Sequence, residues 1–140
     1  MKIQERIIVT TSLLIVCGSM FFSWFGGSRG VQELSGTIVL LHPVTISCIL
    51  AILIGVWAGG PKYSFLLTNL GFLGIIMMEV FYFLDWHIGT ISGRFSITES
   101  FQMAYPEFYV GLTLTTAAYF CNLMIQKPRS ASFLFRLDRV

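Results

Sequence analysis

Four long apolar stretches dominate the chain: Ile7 to Phe25, Thr37 to Gly59, Ser64 to Trp86 and Pro106 to Gln126. Each is 19 to 23 residues long, and about 20 residues of α-helix cross the hydrocarbon core of a bilayer. None shows the period-two alternation of a barrel strand. Backbone amides cannot stay unpaired in lipid, so the stretches are predicted to be helices over 7–25, 37–59, 64–86 and 106–126. The expected fold is an all-α integral membrane protein, a single four-transmembrane-helix bundle spanning 1–140 with short outward loops and a cytoplasmic tail over 127–140.

The breaks between the stretches refine that picture. Gly59-Gly60-Pro61-Lys62 is so short that the second and third helices are expected to form an antiparallel hairpin, its glycines and proline ending one helix before the next begins. The two longer connections, 26–36 and 87–105, are too small for a domain; the second mixes polar residues with Ile and Phe, as a short hairpin or an interfacial segment does. The first stretch begins after Lys2 and Arg6, as a signal peptide would. Its apolar run is too long for one, however, and Ser23-Trp24-Phe25 puts bulky rings where a small-residue cleavage site belongs.

Composition agrees with lipid as the solvent: 55% of residues are hydrophobic and 11% charged, against roughly 25% charged in soluble domains. Charge placement adds an orientation. Seven of the nine Lys and Arg fall in the N-terminal segment, the 60–63 turn and the C-terminal tail, which predicts both termini on the cytoplasmic side of the plasma membrane. No basic face suggests nucleic-acid binding. Cys17, Cys48 and Cys121 lie in separate apolar runs with no metal-ligand or disulfide spacing, so no metal and no cofactor is expected. Trp24, Trp86, Tyr105 and Tyr109 at one side and Trp57 and Tyr63 at the other read as interfacial anchors.

Glu79 is the one charged side chain well inside a predicted span, about 10 Å from the outer end of the third helix at 1.5 Å per residue. An intramembrane carboxylate is costly and raises the expectation of a site. His42 lies at a comparable depth in the second helix, just before Pro43, and hairpin packing allows the two to meet. The pair fits a proton-responsive site, a ligand site, or a buried hydrogen bond that fixes helix register. Asn69 and Asn122 form a second depth match, near the inner end, that reads as an interhelical hydrogen bond.

Small residues mark close-contact faces: Ala51, Gly55 and Gly59 on the second helix, Gly111, Thr115 and Ala118 on the fourth. Gly55 and Gly59 serve contact within the fold or with a partner. In the tail, Lys127 and Arg129 with Phe133, Leu134, Phe135 and Leu137 suit either an anionic lipid surface or a docking partner. No nucleophile elbow, zincin or paired-carboxylate motif is present, so no enzyme is expected. The expected role is a non-enzymatic accessory, assembly or regulatory subunit of a larger membrane complex, with lipids and a membrane protein or a second copy as partners. The alternative is a small oligomeric transporter or ion-coupled protein using Glu79.

Overall fold

The computed structural model describes residues 1–26, 33–85 and 97–137, with the backbone alone for 61, 62, 97, 99, 100 and 127–137. The chain is mostly helical: α1 (Ile3–Ser19), α2 (Thr37–Leu40), α3 (Pro43–Trp57), α4 (Pro61–Asp85), α5 (Ile97–Met103) and α6 (Pro106–Leu137), with two short strands, β1 (Ser23–Phe25) and β2 (Leu34–Ser35). Two helical segments, Tyr63–Asp85 and Pro106–Gln126, are long and apolar enough to cross a membrane. Only 33% and 28% of their apolar windows are buried in the chain, unlike the core helix of a water-soluble domain.

α3 packs most extensively on α4, α4 on α6, and α6 on α1, with a lighter contact between α1 and α3. The α3–α4 hairpin is tight because glycines line it. A Cβ on Gly55 would stand 3.0 Å from both Leu67 and Thr68, and one on Gly71 would stand 2.5 Å from Ile52 and 2.8 Å from the Cys48 carbonyl. Gly55 and Gly59 therefore serve packing inside the chain: Gly59 lies against Gly55 and Ser64.

The element boundaries depart from the sequence reading in four places. The first helix runs from Ile3 to Ser19, not 7–25, because Ser23–Phe25 pairs as a strand instead. β1 is antiparallel to β2, with an irregularity between Ser23 and Phe25, and Phe25 also bridges Ala104. The backbone pairs again where Gly26 donates to Met103 at 3.2 Å and Tyr105 to Trp24 at 2.9 Å. These long-range partners outweigh the local apolar run, so the fold is helical with a small β cap.

The second helix is broken. Pro43 has no N–H to give and its ring opposes the preceding turn, so α2 stops at Leu40 and α3 starts afresh. His42 caps the new start, its Nδ1 accepting from the Val44 amide at 3.3 Å. The third helix begins at Pro61, a residue suited to a first helical turn, so the connection shrinks to 58–60. The fourth continues as helix to Leu137, beyond the expected end at Gln126; no glycine follows Gly111 to stop it. Arg29, Arg94, Trp86 and His87, and the side chains of Phe133 and Phe135, lie outside the described residues.

The outer faces carry many large apolar side chains, and the apolar interior also holds several polar ones. Ile7, Leu14, Leu50, Ile54, Leu66, Leu70, Leu73, Met77, Phe120 and Met124 are among many large apolar side chains exposed on the outer faces. Glu79, Thr45, Thr68 and Thr115 are wholly buried, and Asn122 nearly so. Exposed apolar area of that extent marks contact with lipid or protein.

Candidate functional site

Along α4 the buried stripe reads Thr68, Phe72, Ile75, Glu79 and Phe83, spaced by three or four residues as one helical face requires. Its polar members sit at two levels. At the level nearer the hairpin turn, Asn122 of α6 donates to Asn69 Oδ1 at 3.1 Å and to Thr68 Oγ1 at 3.2 Å. Gln126 donates to Thr68 Oγ1 at 2.8 Å and to Asn122 Oδ1 at 2.6 Å, while Thr68 gives its own proton to the Ser64 carbonyl at 2.7 Å. The expected Asn69–Asn122 bond is present within a larger network. The sequence reading does not single out Thr68 or Gln126, although Thr68 directly precedes Asn69 and Gln126 falls one turn beyond Asn122.

At the level nearer the β cap, Thr115 of α6 donates to Glu79 Oε1 at 2.7 Å. Glu79 Oε2 is buried and has no hydrogen-bond partner among the described residues. His42 does not supply one: its ring lies edge-on to Tyr82, with centroids 6.0 Å apart, a turn nearer the cap than Glu79. The structure thus joins Glu79 to α6 and leaves His42 half-buried at the helix break. On α3 the buried stripe is Thr45, Ile52 and Val56, and Thr45 Oγ1 is also buried without a partner.

Between the two levels the interior is apolar. Phe72 and Ile75 of α4, Ile52 of α3, which packs at Gly71, and Ala118 of α6 are all buried there. Among the described residues these apolar side chains separate the two polar levels along α4 and α6.

The cap closes over the Glu79 level with aromatic rings. Phe83 and Phe108 stack at 5.1 Å, Phe25 meets Phe108 at 5.0 Å, and Phe101 lies edge-on to Phe83 at 5.0 Å. Trp24 is wholly buried against Phe108 and does not anchor at an interface as expected. Its indole N–H donates to the Ser19 carbonyl at 3.2 Å, and its ring fills the space that side chains on Gly36 and Gly111 would need. Trp57 and Tyr63 stay exposed, and Arg6 sits over the Trp57 ring at 5.8 Å.

At the rim of the cap the Tyr105 hydroxyl donates to Glu33 Oε1 at 3.4 Å, and Ser23 donates to Glu33 Oε2 at 3.4 Å. Loss of solvent, then the Glu33 carboxylate and more weakly Glu107, push the Tyr105 phenol above its ordinary pKa. Among the described residues no group of three or more His, Cys, Asp and Glu could hold a metal ion.

No protein-family profile, curated protein or solved structure matches this chain.

Proposed function

We propose that the chain is a four-span membrane bundle, both termini cytoplasmic, that works as a non-enzymatic accessory, assembly or regulatory subunit of a larger complex in the plasma membrane. The spans are α1, the α2–α3 pair, α4 and the first two-thirds of α6. At 1.5 Å per residue, α1 covers about 26 Å and residues 37–57 about 31 Å, close to the roughly 30 Å of hydrocarbon. The positive-inside bias sets the direction.

The observation that carries the reading is the apolar layer in the interior. On α4 and α6 the buried polar groups form two levels with Phe72, Ile75, Ile52 and Ala118 between them, so the described residues of these helices form no continuous polar path through one copy. What it presents outward is apolar side chains on every long helix, the surface through which a membrane partner is met. Extraction in mild detergent is expected to recover the chain with a stoichiometric membrane partner. Recovery as a lone monomer, with crosslinking in intact membranes finding no neighbour, would count decisively against it.

A second reading has its own support in the unpartnered oxygen of Glu79: a small oligomeric ion-coupled protein in which the carboxylate binds the ion. Glu79→Gln in proteoliposomes tests it, since flux unaltered by the substitution, or absent from the parent chain, removes the idea.

A further inference from the structure

Two buried oxygens in the cap-side half of the packing lack a partner, and they sit on neighbouring helices. Glu79 and Thr45 are both 0% exposed, and Glu79 Oε2 and Thr45 Oγ1 accept and donate nothing among the described residues. Their depth can be matched through the glycines of the hairpin. A Cβ on Gly74 would meet Cys48 Sγ, so those residues are level; Thr45 lies three residues from Cys48 toward the cap, and Glu79 five residues from Gly74 in the same direction. Thr45 shares its face of α3 with Ile52 and Val56, and Glu79 shares its face of α4 with Phe72 and Ile75, all buried. Both oxygens thus belong to the interior faces of one antiparallel pair, at depths that differ by about 3 Å at 1.5 Å of rise per residue.

The α2–α3 break lies at that end of the second span. Val44 gives its amide to His42 Nδ1, which deprives the Leu40 carbonyl of the donor a continuous helix would supply. Irregular backbone at membrane depth persists where it lines a site, and broken helices there supply carbonyl oxygens to cations. An unsatisfied buried polar group costs about 1–3 kcal/mol, and one ligand bound between two neighbouring helices at similar depth would satisfy both.

We propose that Glu79 and Thr45 bind a single alkali-metal cation, with Thr115 holding the other carboxylate oxygen in place. The inference rests on the membrane reading above. The donors are hard oxygens, which suit alkali and alkaline-earth ions rather than transition metals. One carboxylate in a low-dielectric interior is balanced by one positive charge, which selects a monovalent ion. Approach is from the cap side, past His42 and Tyr82, because the apolar layer of Phe72, Ile75 and Ile52 closes the other direction. The site is a dead end in one copy, suited to stabilising or regulating the fold in response to the ion.

The full chain, reconstituted in nanodiscs of neutral lipid, is to be unfolded thermally in sodium, potassium or lithium chloride, each against choline chloride at equal ionic strength. At least one alkali salt is expected to raise the transition saturably by about 4 °C or more. Glu79→Gln abolishes the rise, and Thr45→Val raises the half-saturating salt concentration by about tenfold or more. Thr45→Val keeps the side-chain volume, so it remains informative if Glu79→Gln does not assemble. Identical transitions in all four salts overturn the proposal, as does a shift that survives both substitutions or one that follows pH alone. The membrane premise fails differently: alkaline carbonate would release the chain from membranes, whereas a chain that stays embedded and ignores the salts loses the cation site only.

Discussion

The Thr115 hydroxyl reaches Glu79 Oε1 across 2.7 Å, linking α6 to α4 inside the packing. It lies 3.1 Å from the Gly111 carbonyl as well, the alternative acceptor of the same proton. Removing the hydroxyl leaves both oxygens of the buried Glu79 carboxyl without a donor among the described residues. Thr115→Val is expected to destabilise by about 1–3 kcal/mol, and Thr115→Ser to recover most of that, as read by reversible unfolding in bicelles. Equal stability of the valine and parent chains would show that the contact carries nothing.

Glycine spacing along the hairpin makes a sharper test of packing. A methyl group at Gly71 would press on the Cys48 carbonyl, which is backbone and cannot swing away. Gly71→Ala is expected to cost about 1–3 kcal/mol through overpacking. Gly18 in α1 has nothing within 4 Å of such a methyl, so Gly18→Ala is neutral or stabilising by up to about 1 kcal/mol. The pair of variants, unfolded side by side, separates local crowding from helix propensity.

Trp24 joins the end of α1 to the starts of α2 and α6. Trp24→Ala empties a site enclosed by Gly36, Gly111 and Phe108 and is expected to cost about 3–5 kcal/mol. Trp24→Phe loses less, chiefly the bond to the Ser19 carbonyl. A surface anchor would show little change for either substitution in thermal unfolding.

Tyr105 gives the cap an alkaline response. Desolvation and the Glu33 carboxylate raise its folded pKa, so the folded chain keeps the phenolic proton where the unfolded chain releases it, above about pH 10. The associated stability is complete below that unfolded value and is lost as pH rises through the folded one. Ultraviolet titration of tyrosinate is expected to show a late-titrating component that is lost in Tyr105→Phe and shifted back down in Glu33→Gln.

Much of the helical layout was legible because long apolar runs without period-two alternation favour helices, and the Gly-Gly-Pro turn reverses the chain. Asn69 and Asn122 were found for the same reason, as polar residues at equal depth on helices that face. The cap was not legible. Ser23-Trp24-Phe25 continues an apolar helix by every local measure, and only its pairing with Leu34–Ser35 and Ala104 makes it a strand. Depth alone paired Glu79 with His42, whereas helix rotation turned the carboxylate toward Thr115. Thr45 escaped notice because threonine in an apolar helix ordinarily satisfies itself on the preceding turn.

The contact between α1 and α6 gives the fold an order of assembly. A ribosome delivers α1 first and α6 last, so the opening helix waits through the whole synthesis for its main neighbour, while the α3–α4 hairpin can close as soon as it emerges. Trp24 finds the glycine at 111 only when α6 has been made. A chain stalled before α6 would hold a finished hairpin and an idle first helix with its indole unhoused, a form that differs from the complete protein in its exposed aromatic surface.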